Sequence, residues 1–143
     1  MNEHISKSNS RTRWSTICKC LPDFGFSDLS ALTFDIDWAS DEILTDCINL
    51  VENYNIPATW FVTHDTPLLA RLRSNSNFEL GIHPNFNNLL TNPNAIHTVD
   101  KIIDDLLNLV PEAVSVRSHS MVQSSRIQDI FYRKGLKFDC NHF

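Results

Sequence analysis

Residues 31–39 read Ala-Leu-Thr-Phe-Asp-Ile-Asp-Trp-Ala, an apolar, partly β-branched run that ends in two carboxylates. Such a run suits a buried strand, in which residues two apart share a face. Leu32, Phe34 and Ile36 then point one way, and Thr33, Asp35 and Asp37 the other. Two like charges side by side are costly unless a metal cation, an arginine or a shared proton lies between them. An isolated Asp-x-Asp is more often a solvated strand end; the segments that follow lower that expectation.

After Ser40-Asp41-Glu42, a capping serine with acids in a first turn, Ile43, Leu44, Cys47, Ile48, Leu50 and Val51 recur at helical spacing. Ile56-Pro57 stops that helix, and residues 58–63, Ala-Thr-Trp-Phe-Val-Thr, form a second short apolar strand. A strand, helix, strand unit of this length implies parallel strands joined by a right-handed crossover. The pattern continues with a short helix near Leu68 to Leu72 and a third strand over residues 78–83 that ends in His83. An Asn- and Pro-rich loop occupies residues 84–95, and a loop of that length between packed elements often carries function. A helix is expected from Thr98 to Leu109 and a fourth strand at Val114 to Arg117. Another helix is expected from Ser125 to Lys134, closed by Gly135, with a fifth strand from Leu136 to Asp139.

This reading puts Asp35 and Asp37, His64, His83, Arg117 with His119, and Asp139 at the C-terminal ends of successive parallel strands. In parallel α/β folds sites form at that edge. Repetition across five strands is harder to explain as surface decoration than any single residue. The alternative is an ion-pair network tying strand ends together, which perturbs protonation without catalysing anything.

A chain of 143 residues buries one ordinary core, so one domain is expected. A net charge of -5 with scattered Lys and Arg argues against a nucleic-acid partner, and no apolar run approaches the ~20 residues of a membrane span. The polar opening lacks the apolar core of an export signal. Residues 1–20 are therefore expected as a flexible leader to a domain over 21–143, in the cytoplasm. Its four cysteines, Cys18, Cys20, Cys47 and Cys140, are expected as free thiols. Cys18-Lys19-Cys20 has no second ligand pair at metal-clip spacing.

The motifs resemble those of the polysaccharide deacetylases of the NodB-homology type. Thr33-Phe34-Asp35-Ile36-Asp37 is similar to that family's first motif, and residues 80–87, Leu-Gly-Ile-His-Pro-Asn-Phe-Asn, fall where its His-x-x-x-His motif sits. Val116-Arg117-Ser118-His119 is similar to its arginine motif, and residues 58–63 to its second strand. The resemblance runs from about Ala31 onward. It implies an α/β fold, a partial distorted (β/α) barrel of about five parallel strands with covering helices. It also implies metal-dependent hydrolysis of N-acetyl groups on a carbohydrate, in bacterial surface-polysaccharide biosynthesis. On motif position, Asp35 is the general base and Arg117 orients it; Asp37 and His83 are ligands of a divalent metal, expected as zinc.

This chain departs from the pattern in three ways. Position 87 holds Asn87 where the motif has its second histidine, leaving Asn87 or His119 as third ligand or substrate contact. Five strands are too few to close a barrel, and the family's late leucine-histidine motif, which supplies a general acid, would lie beyond Phe143. The expectation is the N-terminal portion of such a domain. Two alternatives stay open: a related C–N hydrolase acting on a small non-sugar amide, and a non-catalytic form of the fold. Trp38 suits a sugar-stacking wall as well as a core position, and His64 is expected in a structural role.

Overall fold

A computed structural model of the chain describes residues 13–19 and 29–142. Six strands are found there: β1 (Arg13–Ser15), β2 (Leu29–Asp35), β3 (Ala58–Val62), β4 (Phe78–Ile82), β5 (Ser115–Val116) and β6 (Phe138–Asp139). Every strand pairs in parallel with its sequence neighbour, so the sheet order is β1-β2-β3-β4-β5-β6. Parallel neighbours need a crossover. From β2 onward helices supply it: α1 (Asp41–Tyr54), α2 (Leu69–Ser74), the short α3 (Asn88–Thr91) with α4 (Val99–Leu109), and α5 (Ser125–Arg133). The result is a partial (β/α) barrel, as expected, with one more strand than the sequence suggested.

The extra strand, Arg13–Ser15, lies within the stretch 1–20 that was expected as a leader. Arg13, Trp14 and Ser15 register with Leu29, Ser30 and Ala31, satisfying an edge of β2 that would otherwise be unpaired backbone. The turn that follows is tied across the N-terminal ends of the strands. Ile17 N–H donates to Thr59 Oγ1 at 3.0 Å, and Cys18 N–H donates to Glu79 Oε2 at 2.8 Å. Glu79 Oε1 also accepts from Ser115 Oγ at 2.7 Å. Residues 1–12, and the turn-rich stretch Leu21 to Phe26, lie outside the described residues.

The core lies between the sheet and its helices. Ile48, Trp60, Val62, Leu72, Ile82, Ile103, Val116 and Ile127 are almost wholly buried in it, each worth on the order of 1.5–3 kcal/mol of transfer free energy. Phe34 stacks on Trp60 across the β2–β3 pair with ring centroids 4.2 Å apart. The opposite sheet face carries Thr33, Asp35, Thr59, Phe61, Glu79 and Ser115, which meet one another or Arg117. Helix α5 ends at Gly135, whose φ of 82° suits only glycine without cost. Among the described residues no helix is long and apolar enough to cross a membrane.

Within the Asn- and Pro-rich loop the chain is more ordered than its composition implied. It contains α3 and a 3-10 turn at Pro93–Thr98, and Phe86 is fully buried in the core. Phe86, with Ala95 and the partly buried Leu89 and Ile96, packs the loop back onto the core.

Candidate active site

Asp35 is the last residue of β2, and its Oδ1 accepts from Arg117 Nη1 at 3.0 Å. Arg117 directly follows β5. The same Nη1 lies 3.0 Å from Thr33 Oγ1, Nε donates to the Cys140 carbonyl at 3.2 Å, and the guanidinium sits 4.6 Å above the Phe61 ring. Four contacts, two from β2, one from β3 and one from the segment after β6, therefore fix this cation. Gly81, next to Phe61 in the β3–β4 register, makes room for that ring: a Cβ there would come within 2.7 Å of Phe61 Cδ1 and 2.6 Å of Ser115 Oγ.

Asp37 does not continue the strand. It occupies a turn closed by Ala39 N–H donating to the Ile36 carbonyl at 3.1 Å, and its φ is 47°. A non-glycine residue there costs about 1–2 kcal/mol, although aspartate tolerates the region better than most. From that turn its Oδ1 lies 2.9 Å from His119 Nδ1 and 3.3 Å from His83 Nε2. Its carbonyl accepts from the Thr63 hydroxyl, and from His64 Nδ1 at 3.0 Å. Ser120 and Met121, each with φ of 55°, adjoin His119, so left-handed non-glycine residues gather at this site.

His83 follows β4 and is only 3% exposed, held by its N–H donating to the Val62 carbonyl at 2.8 Å. Burial pushes its imidazole below the usual histidine pKa, while Asp35 and Asp37 pull it back up. Its Nδ1 is 3.9 Å from Asp35 Oδ1 and makes no hydrogen bond. His119 packs edge-on against Trp38 with centroids 5.1 Å apart, and Trp38 itself is 60% exposed. Beside these residues runs an open cleft of about 290 Å³, lined by Trp38, Thr63, His83, Asn85, Ile102 and Leu106.

The residues present fit a divalent metal. One ligand atom each from Asp37, His83 and His119 lies within 4.8 Å of the other two. Ligands on a tetrahedral ion with bonds of ~2.0–2.1 Å sit about 3.3 Å apart, close to the Asp37–His83 separation. Burial favours neutral His83, the form that offers a lone pair. Two imidazoles and one carboxylate form a borderline-soft set that leaves a coordination position open.

The structure thus brings Asp35, Asp37, His83, Arg117 and His119 together. Asn87 precedes α3, and its Oδ1 is buried with no hydrogen-bond partner. Thr63, expected as the end of the second strand, and His64, expected in a structural role, hold the Asp37 backbone. Further out, Asn141 was not singled out in the sequence. Buried Asn141 accepts from Ser118 N–H at 2.8 Å and donates to Asp139 Oδ1 at 2.6 Å, fastening the turn between Arg117 and His119. Only their place after strand ends could have pointed to them.

A sheet of sequential parallel strands with carboxylates, imidazoles and an arginine gathered at its C-terminal edge places the chain in the partial (β/α) barrel class of the deacetylases. Residues 32–143 match the model of the WbmS-like polysaccharide deacetylases, and the chain belongs to that family. The resemblance read from the motifs is borne out. A crystal structure from Bordetella bronchiseptica, described as a candidate polysaccharide deacetylase involved in O-antigen biosynthesis, is 53% identical to this chain with a TM-score of 0.73. The match covers 78% of this chain and 46% of that one, so the present chain spans less than half the length of its solved relative. A search of curated proteins found no match.

Proposed function

We propose that this chain carries the metal-holding and proton-accepting part of a zinc-dependent deacetylase that removes N-acetyl groups from a surface-polysaccharide sugar. The observation that carries the reading is the convergence of Asp37, His83 and His119 within one ion's reach, beside an Asp35 clamped by Arg117. The O-antigen role described for the 53% identical structure supports the carbohydrate class of substrate. A cytoplasmic setting belongs to the same proposal.

In this reading Asp37, His83 and His119 would hold the ion, which would supply Lewis acidity toward an amide carbonyl and lower the pKa of a water. Asp35 is the carboxylate placed to accept a proton from an attacking water. Arg117 occupies Oδ1 of Asp35 and so orients the carboxylate, with Oδ2 available to the water. Trp38 and Asn85, on the rim of the 290 Å³ cleft, receive the sugar ring and its hydroxyls.

Elemental analysis of the purified chain beside Asp37→Ala tests the reading. One zinc per chain, absent from the variant, is expected, followed by acetate release from acetylated amino sugars. An absence of metal after reconstitution with zinc, cobalt and nickel would overturn it in favour of a non-catalytic form of the fold.

A further inference from the structure

We infer that Thr63 and His64 are positioning residues that clamp the Asp37 backbone in its left-handed turn, so that its carboxylate meets His83 and His119. The inference rests on the metal-site reading for its purpose but on geometry for its content. Asp37 is a non-glycine residue at φ 47°, in a turn position where positive φ favours Gly, Asn or Asp and still costs an L-residue strain. Such a conformation persists only where the surroundings over-determine it. The hydrogen bond that closes the turn, from Ala39 N–H to the Ile36 carbonyl, spans Asp37 without touching its own polar groups.

What holds the Asp37 backbone comes from the end of β3. Its carbonyl accepts from the Thr63 hydroxyl and from His64 Nδ1 at 3.0 Å, and Thr63 Oγ1 and His64 Nδ1 are themselves 2.8 Å apart. A carbonyl only accepts, so His64 must carry its proton on Nδ1 to make this contact. Two donors on one carbonyl fix the peptide plane after Asp37. With that plane fixed, and the plane before Asp37 held by the Ile36 carbonyl accepting from Ala39 N–H at 3.1 Å, the Cα–Cβ direction of Asp37 is set. The carboxylate then sits 2.9 Å from His119 Nδ1 and 3.3 Å from His83 Nε2. A strand that simply continued past Asp35 would send residue 37 along the strand axis instead, away from the turn. Partners of this supporting kind commonly change metal affinity 10- to 100-fold when removed.

The test uses the double variant Thr63→Val with His64→Phe, and each single change should the double fail to fold. The conservative pair Thr63→Ser and His64→Asn keeps both donors. Zinc affinity, measured by competition with a chromophoric chelator, should fall roughly 10- to 100-fold in the double variant and be largely restored in the conservative pair. Without metal, the Cα and Cβ carbon shifts of Asp37 should lose their left-handed signature in the double variant and keep it in the conservative pair. Nitrogen shifts of His64 in the parent chain should report the Nδ1–H tautomer. Unchanged Asp37 shifts in the folded double variant, or zinc affinity within twofold of the parent, would overturn the inference. A parent chain that binds no zinc would remove the metal-site reading alone, and the carbon shifts would still decide the clamp.

Discussion

Arg117 and Asp35, 82 residues apart, meet through a single 3.0 Å hydrogen bond that joins the ends of β5 and β2. The guanidinium is also fixed by Thr33, the Cys140 carbonyl and the Phe61 ring, so its planar fork rather than its charge alone determines where Asp35 points. Arg117→Lys keeps the charge and loses the fork. Its expected effect is a fall in kcat for acetate release of roughly 10- to 100-fold with zinc content unchanged. Steady-state kinetics on metal-analysed protein checks this. An unchanged kcat would mean that Asp35 is oriented by something else.

Asp35 and Asp37 are separated by one residue but are expected to fail differently. Asp35→Asn leaves all three proposed ligands in place and removes a proton acceptor, so zinc should be retained and acetate release should drop on the order of 10²–10⁴-fold. Loss of zinc in Asp35→Asn would place Asp35 among the ligands instead.

The third ligand can be assigned by comparing two alanine variants. His119 Nδ1 lies 2.9 Å from the Asp37 carboxylate, whereas Asn87 Oδ1 is buried without a hydrogen-bond partner. His119→Ala should lower zinc affinity by at least tenfold and Asn87→Ala by much less, read by chelator competition. The reverse order would restore the ligand role to position 87.

Much of this was legible in the sequence, for physical reasons. The alternation of β2 follows from a period of two, and it put Thr33 and Asp35 on one face and Phe34 on the other, as found. Helical periodicity located α1, α4 and α5, and Gly135 marked a helix end because its backbone geometry favours glycine. Strand β1 was missed because three residues, Arg13, Trp14 and Ser15, carry no period; only the free edge of β2 gives them a place. The turn at Asp37 was equally hidden. An Asp-x-Asp alternation reads as continuous strand, and the departure depends on Thr63 and His64, which lie on another strand's end.

The fit of Gly81 gives a stability prediction that also reaches the site. Gly81→Ala sets a methyl within 2.6 Å of Ser115 Oγ and 2.7 Å of Phe61 Cδ1. Both neighbours are buried, so overpacking should cost about 1–3 kcal/mol, seen as a lowered urea midpoint. Phe61 lies under Arg117, so kcat should fall as well. Loss of stability alone would show that the ring can shift without carrying Arg117.

His83 makes the metal-free fold sensitive to acid. Burial lowers its pKa below the ordinary 6.5, so in the window just below that value the unfolded chain holds a proton that the folded chain does not. By linkage, stability then rises with pH through this window and levels off above it. Urea unfolding of metal-free protein should therefore give a lower midpoint at pH 5.5 than at pH 7.5, and His83→Gln should flatten the difference. An undiminished slope in His83→Gln would assign the acid sensitivity to other groups.

Cys140 offers a chemical reporter of the same packing. Burial raises its thiol pKa to about 11, with Arg117 opposing the rise and Asp139 adding to it. The thiolate is the reactive form, so at pH 7.5 alkylation should be slower than for an ordinary thiol of pKa ~8.5 by on the order of a few hundredfold. Mass spectrometry of timed iodoacetamide reactions resolves Cys140 from the other thiols. Two effects compete in Arg117→Ala. Losing the nearby cation raises the thiol pKa further, while losing the side chain that donates to the Cys140 carbonyl at 3.2 Å loosens the segment. If electrostatics governs, Cys140 reacts more slowly in the variant. Faster reaction would mean that Arg117 mainly closes this end of the sheet, and that its contact with Asp35 is one part of a structural strap.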